Sequence, residues 1–160
     1  MANHYFTEGC RGIMSAEIDL DLAGSDIRVM LAGLNSTLGN NDAQRDILTI
    51  SAATTVDEYV GTNYTAGGVA LASRTLTKQG TPTFRLDFDA ADGAPTWTSL
   101  GADAGGNSIG AVVFILPSAG VHPTDSVPLY WIDDGGFPFN GTGNNVTIQW
   151  NANGIAQVQL

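Results

Sequence analysis

The sequence predicts an all-β chain, a β-sandwich or jelly-roll-like domain of about eight or nine strands with one or two short helices between residues 42 and 60. Three observations lead there. Short runs alternate apolar and polar residues with the period of a half-buried strand. Clusters of Gly, Asn, Asp, Ser and Pro separate those runs at short intervals. With 20 glycines and only 14% charged residues among 160, the composition suits strands and turns better than a helical bundle. The length predicts a single domain over 1–160, large enough to bury a core without disulfides or metals.

Ala16 to Leu22 sets Ile18, Leu20 and Leu22 against Glu17, Asp19 and Asp21, and Ile27, Val29 and Leu31 alternate with Arg28 and Met30. Joined by Ala23, Gly24 and Ser25, the two runs read as a hairpin in which Arg28 can meet Asp19 or Asp21. Asn35 to Gln44 reads as a loop, Asp42 to Ile50 as a helical turn or two, and Thr55 to Tyr59 as a second short helix or an irregular segment. Gly67 and Gly68 admit backbone angles closed to other residues, so they end that segment and open a strand from Val69 to Thr77. The pair reads as a fold-specifying turn, because no basic or hydroxyl cluster accompanies it as phosphate binding requires.

Phe84 to Phe88 and Thr96 to Leu100 are the next strands, with turns at Lys78 to Thr83, through Gly80 and Pro82, and at Asp89 to Pro95. Ile109 to Leu116, nearly all apolar, is the central strand expected to be covered on both faces. Leu129 to Ile132 is a strand, and Asp133 to Asn144 is a Gly-rich excursion carrying Phe137 and Phe139. Val146 to Trp150 and Ile155 to Leu160 close the chain as a hairpin through Asn151 to Gly154.

A formal net charge of -10, from 16 acidic and 6 basic residues, argues against direct nucleic-acid binding, which relies on Lys and Arg. Cys10 is the single cysteine and reads as an idle or buried thiol. No apolar signal core opens the chain and no stretch approaches a membrane span, so cytosol-like conditions and no membrane partner are expected. His4 and His122 are isolated, with His122 expected as an exposed loop residue, and no zinc spacing, nucleophile elbow or phosphate loop occurs.

Asp87, Asp89 and Asp92 form a D-x-D-x-x-D cluster whose carboxylates can converge on calcium. The remaining EF-hand ligands are missing and turn capping explains the same residues, so no metal or cofactor is expected. Asp133-Asp134-Gly135-Gly136 reads as a turn. Trp97, Trp131 and Trp150 with Tyr130, Phe137 and Phe139 suggest either a sugar-stacking platform or core and interface packing. Phe137 and Phe139 sit in a loop where strand alternation gives no reason for burial, so they and Trp131 are the expected partner contacts.

The opening MANHYFTEG, the run EIDLDLAGSDIRVML, and NYTAGGVALASRTLT, FDAADGAPTWTSL, GAVVFIL, LYWIDDGG and the terminal NNVTIQWNANGIAQVQL together resemble small structural proteins encoded in the morphogenesis regions of tailed bacteriophages. The resemblance covers nearly the whole chain through the order and spacing of its pieces. It implies a mostly-β virion component assembled in the host cytoplasm, with no catalytic residues to carry over. A capsid decoration or cementing protein suits the length best. Its partners would be the major capsid protein or neck and tail subunits, and it would form a homo-oligomer, a trimer being one candidate. A carbohydrate-binding module displayed on the virion is the alternative, stacking sugars on Trp131, Phe137 and Phe139 and taking calcium at Asp87, Asp89 or Asp92. An acid-pair hydrolase using Asp133 or Asp134 is a third reading.

Overall fold

The computed structural model of the chain describes residues 3–15, 25–39, 44, 46–71, 74–79, 83–88, 94–150 and 156–159. Among them the fold is all-β apart from one helix and a single 3-10 turn. Its elements are β1 (His4–Tyr5), α1 (Thr7–Met14), β2 (Ser25–Ala32), the 3-10 turn (Ile50–Ala52), β3 (Val69–Ala70), β4 (Arg74–Gln79), β5 (Thr83–Phe88), β6 (Thr96–Leu100), β7 (Gly110–Pro117), β8 (Val127–Ile132), β9 (Asn144–Thr147) and β10 (Ala156–Gln159). All pairings are antiparallel, in a five-stranded sheet ordered β1-β8-β7-β2-β3, a three-stranded sheet β10-β5-β4 and a two-stranded sheet β6-β9.

The apolar run predicted to be central is β7, buried continuously from Gly110 to Ile115. It pairs with β2 along eight residues, from Ser25 opposite Pro117 to Ala32 opposite Gly110. Alternation then divides the side chains between two cores. Ile27, Val29, Leu31, Ala111, Val113 and Ile115 meet Tyr59, Leu71, and Trp97 and Leu100 of β6 on one face. Met30, Ala32, Val112, Phe114 and Trp131 meet Phe6, Leu38, Ile47 and Ile50 on the other. Each fully buried aliphatic or Phe side chain contributes about 1.5–3 kcal/mol, so losing either cover would expose a large apolar area.

The second cover includes the stretch where helices are expected between 42 and 60; Gln44 is helical there, and Asp42, Ala43 and Arg45 lie outside the described residues. Among the described residues of that stretch, Ile50–Ala52 forms a 3-10 turn. Thr55 to Tyr59 is drawn out along β2: Tyr59 N–H donates to Leu31 O at 3.0 Å, Thr55 N–H to Thr37 Oγ1 at 3.0 Å, and Gly33 N–H to Asp57 O at 2.6 Å. Those long-range partners outweigh a weak local preference. The α-helix lies instead at Thr7–Met14, where Gly9 and Gly12 argue against one. Gly9 packs so closely on β8 that a Cβ there would stand 2.2 Å from Pro128 O, a close approach that only glycine allows.

Of two expected hairpins, one falls partly outside the described residues and the other changes. Residues 16–24, the first arm and its turn, lie outside the described residues; both edges of β2 at Arg28 and Val29 are already taken, by β7 and by β3. The terminal pair separates among the described residues, since β9 pairs with β6 and β10 with β5.

Gly67 and Gly68 adopt φ of 83° and 64°, as their expected turn role requires. Arg28 clamps the turn, its Nε donating to Gly67 O at 2.7 Å and Nη2 to Gly68 O at 2.9 Å, while Nη1 lies 3.6 Å from Asp26 Oδ2. A Cβ on Gly68 would stand 2.0 Å from Val29 O, inside the β2–β3 contact. Gly68→Ala is therefore expected to lower unfolding stability by about 3 kcal/mol, combining left-handed backbone strain with overpacking. Denaturant titration checks this, and a loss under about 0.5 kcal/mol, the scatter of neutral surface changes, would remove the turn from the fold's requirements.

Candidate functional site

The excursion after β8 is shaped by two glycines and a clamp. Gly135 and Gly136 take φ of 69° and 129° in open space, turning the chain out from the end of β8. Phe139 brings it back by exchanging backbone bonds with Ser108, whose N–H donates to Phe139 O at 2.7 Å and whose O accepts from Phe139 N–H at 3.0 Å. Tyr59, wholly buried, secures the next residues: its hydroxyl accepts from Gly141 N–H at 2.9 Å and lies 2.8 Å from both Gly101 O and Asn140 Oδ1. Asn140 Oδ1 also accepts Asp103 N–H at 2.8 Å. The loop is thereby tied to the core at several points.

The clamp leaves Phe137 and Phe139 half-buried, with ring centres 5.3 Å apart, leaning on the core yet lining a groove of about 840 Å³. Tyr130 and Ile132 of β8 line it too, and the run from Asn145 to Trp150 borders its length. Asn3, Asn145, Thr147 and Gln149 supply amide and hydroxyl groups, and Asp134 is the single acid among the described lining residues. Burial raises the Tyr130 hydroxyl pKa, with Tyr5, Asp134 and Asp133 adding to the rise and a hydrogen bond from Asn3 opposing it. The groove offers ring faces, neutral hydrogen-bonding groups and one negative charge, which suits holding a ligand. Proton transfer between paired carboxylates has no second acid among the described lining residues.

Phe137 and Phe139 thus share this groove, but Trp131 does not. Trp131 is wholly buried in the opposite core, its indole against Gly39 and Gly110, where a Cβ would come within 2.3 Å of Cζ2. Trp131 alternates with Tyr130 and Ile132 along β8, and alternation sends it to the other face. It is therefore neither a partner contact nor a stacking ring; Tyr130 and Trp150 stand at the groove instead. Asp133 donates its N–H to Asn3 Oδ1 at 3.0 Å, and Asp134 is exposed at the groove. Asp87 belongs to β5, while Asp89 and Asp92 lie outside the described residues. Among the described residues no group of three or more His, Cys, Asp or Glu side chains is placed to hold a metal ion.

His122, expected to be exposed, is instead mostly buried at 13% side-chain exposure and packs on Phe114 with ring centres 5.0 Å apart. Its Nε2 lies 3.2 Å from Glu58 Oε2 and its Nδ1 2.8 Å from Ser126 Oγ. The other Glu58 oxygen accepts Tyr64 O–H at 2.6 Å and Gly67 N–H at 2.8 Å, and Tyr64 Oη in turn accepts Leu31 N–H at 3.1 Å. The order Ser126, His122, Glu58 resembles a nucleophile relay, but Ser126 is wholly buried and a substrate cannot reach it. The network ties the loop at His122 to the Gly67-Gly68 turn. Its hydrogen bonds join residues up to 64 apart, so local sequence patterns carry no sign of it.

No protein-family model, curated protein or solved structure matches the chain.

Burial, then the Glu58 carboxylate, hold the Tyr64 pKa well above its ordinary value. The unfolded phenol ionises near pH 10 while the folded one stays protonated, so stability is full below about pH 10 and falls above it. The expected loss reaches about 1.4 kcal/mol per pH unit. Denaturant titrations from about pH 9 to about pH 11 check it, in a Cys10→Ser, Tyr130→Phe background because burial also raises the Cys10 thiol and the Tyr130 hydroxyl. Tyr64→Phe should flatten the alkaline fall, and an unchanged slope would assign it to other groups.

Proposed function

We propose that the chain is a structural protein of a tailed-phage virion, a capsid decoration or cementing protein that binds other virion subunits through the groove beside β9. The observation that carries this reading is the pair Phe137 and Phe139, held half-exposed on a loop secured to the core by Tyr59 and Ser108. Aromatic rings held rigidly at a polar surface suit a protein-protein contact, since little side-chain freedom remains to be lost on binding. The ordered resemblance of segments from MANHYFTEG to IAQVQL supports the virion assignment. The net charge of -10 suits an outer surface that keeps particles apart.

Mass spectrometry of purified particles should find the chain in constant ratio to the capsid subunit. Phe137→Ser should lower its occupancy about tenfold, equivalent to about 1.4 kcal/mol of binding, while the purified variant keeps its strand content. Particles that lack the wild-type chain would overturn the assignment. Carbohydrate binding is the second reading, favoured by Tyr130, Phe137, Phe139 and Trp150 beside Asn145 and Gln149 in one groove. A glycan array that stays blank with and without chelator removes it.

A further inference from the structure

The groove runs along a strand edge. Successive strand residues point to opposite faces, so a hollow over one face touches every second residue, yet this groove is lined by each of Asn145, Val146 and Thr147 of β9 and by the three residues that follow the strand. Such continuous lining follows the backbone. Ile148 N–H donates to Pro95 O at 3.1 Å and Val146 stands opposite Trp97, which directs the backbone groups of both toward the β6 side. Thr147 stands opposite Thr96 with side-chain hydroxyls 2.9 Å apart, the close approach of a non-hydrogen-bonded pair. The backbone N–H and C=O of Thr147 consequently point the other way, away from β6, and the chain continues past β9 along the groove through Ile148, Gln149 and Trp150. Among the described residues β9 is an outer strand, and no strand pairs with that edge.

We infer that the groove is a vacant strand position that takes an extended segment of a different polypeptide, antiparallel to residues 145–150. The edge requires a partner with alternating donors and acceptors at backbone spacing, which an extended peptide supplies. Tyr130, Phe137 and Phe139 offer ring faces to alternate apolar side chains of the incoming segment. Charge selects the source. Asp134 is the charged residue of the described lining and the whole chain carries -10, so a second copy meets repulsion and a segment bearing Lys or Arg near Asp134 is favoured. The inference rests on the docking reading above only for which virion subunit supplies the segment.

The test uses the full chain and a random dodecapeptide library. Enriched peptides should alternate apolar and polar residues, carry Lys or Arg, and slow hydrogen exchange at the Thr147 amide when bound. Thr147→Pro removes the outward N–H without touching the β6 ladder, so it should weaken those peptides at least tenfold with unchanged exchange at Trp97 and Val146. Asp134→Lys provides the second variant and should weaken the cationic peptides while leaving the backbone edge intact. Failure to enrich peptides, equal binding by Thr147→Pro, or protection of the same amide by self-association or by maltohexaose would each overturn the inference. Peptide binding at Thr147 by a chain absent from particles would keep the strand position and reject the virion role.

Discussion

Burial of the β2–β7 pair on both faces is the constraint on which the remaining structure depends. A half-buried sheet needs one cover, whereas Met30, Val112 and Phe114 point opposite to Val29, Val113 and Ile115, so this sheet needs two. One cover comes from Trp97 and Leu100 of β6 with Tyr59. The other comes from Phe6, Leu38, Ile47 and Ile50, supplied by the chain beside α1 and by the long connection after β2. That connection therefore carries structural weight, and backbone groups of its described residues find partners in β2, Thr37 and Asp57.

Polar side chains then fasten the covers and turns to the sheet. Arg28 holds the carbonyls of Gly67 and Gly68 while Glu58 holds the Gly67 N–H, so the turn is gripped through donors and acceptors alike. Glu58 also reaches His122, and Tyr59, its neighbour, secures Gly141 and Asn140 from the other core. Adjacent residues thereby serve opposite purposes: Glu58 joins the turn to the loop after β7, and Tyr59 joins the sheet to the loop that presents Phe137 and Phe139. Such satisfied networks specify one arrangement of distant loops because breaking a single member strands buried partners without a hydrogen bond.

The groove follows from unequal layers. Five strands on one side meet the two-stranded β6-β9 sheet on the other, which leaves the face of Tyr130 and Ile132 beyond the last strand of the smaller sheet. The aromatic excursion closes part of that space, and residues 145–150 line the remainder. Fold and candidate site thus share one origin: among the described residues the smaller layer covers only part of the larger sheet.

Alternation and apolar runs were legible from the sequence alone. Ile27 to Leu31, Thr96 to Leu100 and the buried run of β7 stand where their patterns place them, and the angles of Gly67 and Gly68 follow from the one residue type that adopts them freely. Phe137 and Phe139 were legible as rings on a Gly-rich loop, and the structure sets them half-buried at the groove. The side taken by Trp131, the burial of His122, the helix at Gly9 and Gly12, and the strand edge at Thr147 were decided only in three dimensions. Each depends on a partner far along the chain: Gly39 and Gly110 against the indole, Glu58 at His122, Pro128 at Gly9, and β6 choosing which edge of β9 stays free. Residue type and period determine which groups must be buried or bonded, while the choice of distant partner is a tertiary property that no local window contains.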